Sequence, residues 1–148
     1  MGIGNVFTGG RSLGILPVMD ASQASDQQVR SDFAAHDHAI GLPISDVVRE
    51  LVSILGATTV AAIAGVTETR AVQQWMVDRQ PQRPHVLRFA LQIASMIGTI
   101  KNPEYARAWF QASNPHLGDA VPALMLRSKP LEEIQAPLMA AARAFAAR

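Results

Sequence analysis

The sequence predicts an all-α protein, a compact multi-helix bundle that contains a helix-turn-helix and follows a flexible N-terminal arm. Hydrophobic residues make up 49% of the chain, whereas aromatic residues make up only 5% and alanine is abundant. This mixture favours closely packed helices over sheets. Apolar residues also recur at helical spacing from about residue 45 onward. At 148 residues, the chain is long enough to bury such a core in one domain.

The first 42 residues are expected to form the flexible arm. They are rich in Gly, Ser, Asp and Gln and have no sustained hydrophobic period. A short helix over residues 25–33 is the one ordered element that the pattern admits there. Gly41-Leu42-Pro43 then interrupts the chain, so the folded part is expected to begin near Pro43.

Three short helices are predicted at the start of the folded part. Ser45 is a suitable N-cap for the first, whose apolar residues recur at helical spacing until Gly56 ends it. The second covers residues 59–64. The third begins after Thr67, which is expected to cap it.

The same spacing predicts four further helices, over residues 86–100, 104–112, 121–127 and 131–147. The first of these is apolar on most sides, so we expect it to lie at the centre of the core. Asn102 followed by Pro103 predicts the start of the second. Pro137 is expected to kink the last helix or to start a new one.

The segment from Thr59 to Met76 has the pattern of a helix-turn-helix. Ala61 is the small residue needed where the two helices cross, Gly65 permits the turn, and Val66 fills the core behind it. Val72 and Trp75 would fix the second helix and leave its polar residues outward. Arg and Gln side chains recognise guanine and adenine edges in the major groove, and nearby arginines hold phosphates. The predicted DNA-binding residues are Thr67, Thr69, Arg70, Gln73, Gln74, Arg79 and Arg83.

Another interpretation of this segment is that Gly-Val-Thr joins two ordinary core helices whose polar face is only solvated. The formal net charge of +1 is too small to indicate nucleic-acid binding by itself, because DNA-binding domains are usually strongly basic. A role in DNA binding therefore depends on the local pattern.

The segment from Asn114 to Gly118 predicts a rigid loop. An Asn side chain can bond the backbone two residues on, Pro115 fixes φ, and Gly118 allows a left-handed turn. Trp109 can pack beneath this loop. Such a loop beside an apolar helix is a plausible protein-binding face, and the alternative is that it only closes the bundle.

The same region resembles a known family. The run Ala108-Trp109-Phe110, followed by Ser113-Asn114-Pro115 and Leu117-Gly118, then Pro122 and a helix ending in Phe145, is similar to the toxin-binding domain of the Xre/MbcA/ParS-type antitoxins. The stretch from Gly65 to Trp75, with Arg83-Pro84 and Leu87-Arg88 beyond it, resembles that family's Xre-like helix-turn-helix. The resemblance covers roughly residues 45 to 148.

The resemblance implies an antitoxin of a type II toxin-antitoxin system, with residues 43–101 as the DNA-binding domain and residues 102–148 as the toxin-binding domain. The antitoxin would repress its own operon at an operator DNA. It would also neutralise by direct binding a toxin of the RES kind, which consumes NAD, with its C-terminus plugging the active site. The residues that would bind the toxin are Trp109, Asn114, Pro115, Leu117 and Gly118, with Arg143 and Arg148 as candidates for the plug.

A stand-alone helix-turn-helix repressor, of phage or host, is the alternative function. In either case we expect a cytoplasmic protein, since the chain has no cysteine and no apolar run of the roughly 20 residues that span a bilayer. We also expect a homo-oligomer. We expect no cofactor, metal or enzymatic activity, because no catalytic motif occurs. His36-Asp37-His38 lacks a third ligand nearby, and His85 and His116 have no catalytic partner at suitable spacing.

Overall fold

The structure, a computed structural model, describes the backbone of residues 21–148 and the side-chain surroundings of residues 26, 29, 30 and 32–148. The chain divides into two compact units, residues 1–30 and residues 31–148. The described part of the first unit, residues 21–30, is helical. All site residues predicted from the sequence lie in the second unit.

The described residues are all-helical and contain no strand, which confirms the predicted fold class. A 3₁₀ turn, Pro115–Leu117, lies between the sixth and seventh helices of the described residues. The α-helices are α1 Ala21–Gly41, α2 Ile44–Leu55, α3 Ala57–Ala64, α4 Thr69–Trp75, α5 Pro84–Ile100, α6 Pro103–Gln111, α7 Pro122–Ser128 and α8 Leu131–Ala146.

The prediction of a flexible arm over residues 1–42 is wrong for the last part of that range. Residues 1–20 lie outside the described residues, but residues 31–41 belong to α1. Ala35 and Ala39 are only 5% and 2% exposed, and their spacing of four residues puts them on one face of the helix. Arg88 donates to the carbonyl oxygens of Ala39 and Leu42 at 2.9 and 2.7 Å. The short helix admitted over residues 25–33 lies within α1. Two alanines make a weak hydrophobic period, so the sequence pattern missed the continuation of this helix to Gly41.

Two predicted helix caps are also wrong. Pro43, and not Ser45, is the N-cap of α2. Glu68, and not Thr67, is the N-cap of α4, and its side chain makes no capping hydrogen bond. Asn102 caps α6 as predicted, because its side chain accepts a bond of 3.1 Å from the backbone N–H of Tyr105. Each of the two wrong caps lies within two residues of the observed one, the usual error in placing helix ends.

Helix α5 lies at the centre of the core, as its sequence predicts. It packs against α2, α3, α6 and α8, and burying apolar side chains on so many sides is the main source of stability in such a bundle. Its buried residues are Val86, Leu87, Phe89, Ala90, Leu91, Ile93, Ala94, Met96 and Ile97.

The segments predicted to bind DNA and to bind a toxin, residues 43–101 and 102–148, lie together in the second compact unit. Helix α7 packs against α3, so the C-terminal segment forms part of the support of the helix-turn-helix. Helix α8 is one helix that runs through Pro137, and this proline starts no new helix. Pro137 is exposed.

A pair of leucine substitutions tests the assignment of the core. Leu91 is 0% exposed and Leu124 is 52% exposed. Leu91→Ala is expected to lower the free energy of unfolding by about 2–5 kcal/mol, because it leaves a cavity in the core. Leu124→Ala is expected to change it by less than about 0.5 kcal/mol. Denaturant unfolding followed by circular dichroism measures both, and equal effects would contradict the assignment.

Candidate functional site

The turn between α3 and α4 has the backbone of a helix-turn-helix. Gly65 ends α3 with φ of +85°, a left-handed conformation that glycine adopts without steric cost. Its N–H donates to the carbonyl oxygens of Ala61 and Ala62, and the N–H of Val66 also donates to Ala61. Ala61 is buried and Val66 packs on the core. The sequence therefore placed the turn correctly.

Helix α4 presents a polar face to solvent. Val72 and Trp75 are buried, whereas Arg70, Gln73 and Gln74 are exposed. Because these three residues are spaced i, i+3 and i+4, their side chains leave the helix on one face. This is the orientation that the sequence predicted.

The predicted DNA-binding residues that flank this face differ in their surroundings. Thr67 and Arg79 are exposed, and Thr69 is half-buried. Arg83 is half-buried as well, and its Nη1 donates to the carbonyl oxygen of Arg127 at 3.2 Å. It also lies beside the turn, since a Cβ on Gly65 would be 3.9 Å from the same nitrogen. Arg83 thus has a protein acceptor for one of its N–H groups, and the phosphate contact predicted for it stays a prediction.

Two arginines that the sequence did not single out hold the ends of the helix-turn-helix. Arg49 of α2 donates to the carbonyl oxygen of Met76, the C-cap of α4, and also to Asp46 at 2.6 Å. Arg127 of α7 donates to the carbonyl oxygens of Ala62 and Val66, which are 65 and 61 residues away in sequence. No local pattern signals contacts over such separations.

The predicted rigid loop is closed by its own backbone. Asn114 is buried, and its side-chain oxygen accepts a bond of 2.9 Å from the N–H of His116. Its backbone N–H donates to the carbonyl oxygen of Ala120 at 3.0 Å. Gly118 and Asp119 take φ of +63° and +67°, which turns the chain back at once. Pro115 is exposed and Leu117 is half-buried.

A cavity of about 200 Å³ lies beside this loop. The indole of Trp109 is only 3% exposed, and it packs edge-on against Phe110 with the ring centroids 5.0 Å apart. Its Nε1 is buried with no hydrogen-bond partner among the described residues. Of the predicted toxin-binding residues, the structure brings Trp109, Asn114, Pro115 and Arg148 together around this cavity, along with His116 and Phe145.

Arg148 is held beside the cavity by its own chain. Its carbonyl oxygen accepts a bond of 2.9 Å from Nζ of Lys101, and its guanidinium lies 5.3 Å from the ring centroid of Phe145. The ammonium of Lys101 lies over the same ring and over that of Tyr105, at 5.8 and 5.6 Å. Such cation–π contacts are weak when exposed, so they orient the last residue without fixing it strongly.

Arg143, the second candidate for the plug, lies elsewhere. Its Nε donates to Oδ2 of Asp32 at 2.7 Å, and it lines a separate cavity between α5 and α8 with Gln92 and Glu132. The structure therefore separates the two arginines that the resemblance had placed in one role.

The described residues contain no group of three or more His, Cys, Asp or Glu side chains arranged to hold a metal ion. Within residues 36–38, His38 instead forms a contact of 2.6 Å between Nε2 and Oε1 of Glu50. No helix in the described part of the chain is long and apolar enough to span a membrane.

Gly65→Ala tests the backbone of the turn, and Gly98→Ala is its comparison in a helix interior. Gly65→Ala is expected to cost about 1–2 kcal/mol of stability, because a Cβ at φ +85° is strained. Gly98→Ala, within α5, is expected to stabilise by roughly 0.5–1 kcal/mol, because alanine favours helix and meets only ordinary contacts there. Thermal unfolding measures both, and a neutral Gly65→Ala would argue against the left-handed turn.

Comparison of the chain with family models, with curated proteins and with solved structures gives no match.

Proposed function

We propose that this chain is a sequence-specific DNA-binding protein whose helix α4 enters the major groove. The observation that carries the proposal is the exposed face of Arg70, Gln73 and Gln74 on a helix that Val72 and Trp75 fix to the core. Arg pairs in bidentate fashion with guanine and Gln with adenine. A short helix presented in this way after a left-handed glycine turn is the arrangement of a recognition helix.

Charge around this face indicates that specific contacts, and not general attraction to phosphates, dominate the binding. Arg70 and Arg79 are exposed, but so are Glu68 and Asp78 beside them. Phosphate contacts supply most of the affinity for random DNA. With few free cations here, affinity for random DNA is low and the bases recognised by α4 determine where the protein binds.

The more specific function that we propose is that of an antitoxin, which autorepresses its operon and neutralises a partner toxin. The resemblance to the Xre/MbcA/ParS-type antitoxins supports this proposal and supports a RES-type, NAD-consuming enzyme as the partner. The second candidate site also supports the antitoxin proposal, because Trp109 and the closed loop from Asn114 border a cavity there. A buried indole N–H without an acceptor is uncommon in a folded protein.

One observation favours the stand-alone repressor as a second candidate. Helix α7 packs against α3, and Arg127 holds the turn of the helix-turn-helix. The C-terminal segment thus has a structural role that requires no partner. The two functions differ in whether a second protein binds at the Trp109 cavity.

Substitutions on and beside α4 test DNA recognition. Arg70→Ala is expected to weaken binding to the operator upstream of the gene by roughly 1–3 kcal/mol and to spare a scrambled duplex. Arg79→Ala is expected to weaken both duplexes about equally and to lower the salt slope by about one. Fluorescence anisotropy over a range of salt concentrations measures these effects. An equal loss on both duplexes for Arg70→Ala would refute the recognition face.

A charge placed at the Trp109 cavity tests the antitoxin function. Co-expression of the chain is expected to protect cells from the product of the neighbouring open reading frame, and Pro115→Glu is expected to abolish protection while operator binding is kept. Pro115 is exposed and lines the cavity, so the substitution leaves the core intact.

Lys129→Glu is the matched control, since Lys129 is exposed and the Trp109 cavity is lined by other residues. Protection by Pro115→Glu at the level of this control would place the inhibitory contact elsewhere. A neighbouring product that is neither toxic nor bound would favour the stand-alone repressor.

A further inference from the structure

Arg127 lies at the end of α7 and contacts the turn of the helix-turn-helix. One nitrogen, Nη1, donates to the carbonyl oxygen of Ala62 at 3.1 Å and to that of Val66 at 3.3 Å. Ala62 is in the last turn of α3, where few backbone donors follow, and its carbonyl also accepts from the N–H of Gly65. Val66 lies beyond Gly65, on the way to α4. The same donor therefore fixes the chain on both sides of the turn.

We propose that Arg127 positions α4, the proposed recognition helix, on the DNA. This inference rests on the proposed function. Only Thr67 and Glu68 separate Val66 from the first residue of α4, so the place of the Val66 carbonyl determines where α4 begins. Base-edge hydrogen bonds need donor and acceptor within about 3 Å. A small displacement of α4 therefore removes specific contacts while contacts with phosphates persist.

The chemistry of this contact suits a positioning role. A guanidinium is always charged, and its bonds to carbonyl oxygens are stronger than those of a neutral donor. It also meets the negative end of the α3 dipole. Arg127 is half-buried, so solvent and salt screen these bonds less than those of a surface pair.

A second arginine supports Arg127 from the other side. Nη1 of Arg83 donates to the carbonyl oxygen of Arg127 at 3.2 Å and lies beside Gly65. The connector after α4 and the end of α7 thereby enclose the turn between them. From the sequence, Arg83 was expected to contact phosphates and Arg127 was not singled out. In the structure, both arginines lie at the turn.

The chain also provides a matched control. Nε of Arg107, on α6, donates to the carbonyl oxygen of Leu55 at 3.2 Å, at the end of α2. The chemistry is the same, an arginine bonded to the carbonyl of a helix end, but residues 62–66 are not involved. If Arg127 only stabilised the fold, its loss and the loss of Arg107 would have similar consequences.

The first experiment compares Arg127→Met with Arg107→Met in binding to operator and scrambled duplexes. Arg127→Met is expected to weaken operator binding about tenfold and scrambled binding less than about twofold. Arg107→Met is expected to keep the wild-type ratio of the two affinities. Arg127→Lys, which keeps a cation with several donors, is expected to restore most of the ratio. A wild-type ratio in Arg127→Met, or an equal loss in Arg107→Met, would overturn the proposal.

The second experiment needs no DNA. Amide hydrogen exchange across residues 66–75 is expected to be at least about tenfold faster in Arg127→Met than in Arg107→Met, because the turn opens locally. Equal rates would overturn the proposal. A wild-type protein that binds neither duplex would refute the proposed function. The exchange rates would then still test whether Arg127 fixes the position of α4. Arg127→Gln replaces Arg127→Met in both measurements if the latter does not fold.

Discussion

The burial of α5 is the constraint on which the rest of the structure depends. Nine of its seventeen residues are buried, and an apolar helix of this kind is stable in water only when other helices cover it. Helices α2, α3, α6 and α8 supply that cover. Because α2 and α3 come from one predicted functional segment and α6 and α8 from the other, a single core joins the candidate DNA-binding face to the candidate partner site.

Arginines bonded to backbone carbonyls are the second organising feature. Their guanidinium groups bond to oxygens at helix ends and turns, where the helix itself offers few donors. In a protein of net charge +1, several of the cations are thus engaged by the chain's own backbone. The arginines that bond in this way are Arg49, Arg83, Arg88, Arg107 and Arg127.

The candidate partner site and the candidate recognition helix are also connected along the chain. The Asn114 loop closes at Ala120, α7 begins two residues later at Pro122, and Arg127 near the end of this seven-residue helix contacts the turn before α4. The two candidate sites are therefore joined by a short stretch of chain.

The sequence by itself determined the elements whose causes are local. Helical spacing of apolar residues predicted α5 and its central place, Asn102 before a proline predicted the start of α6, and Gly65 predicted the turn. Side-chain spacing alone also predicted the exposed face of Arg70. The exact caps of α2 and α4 were missed, because neighbouring residues suit a cap almost equally well.

Tertiary structure decided what depends on residues distant in the chain. The packing of α1 rests on Arg88, about fifty residues away, and the separation of Arg143 from Arg148 rests on Asp32. The same holds for Arg127, whose acceptors lie more than sixty residues earlier. The sequence shows that an arginine is charged and long. It does not show the acceptor, because these arginines bond to backbone carbonyls and every residue has one. Only the folded chain selects which one it bonds.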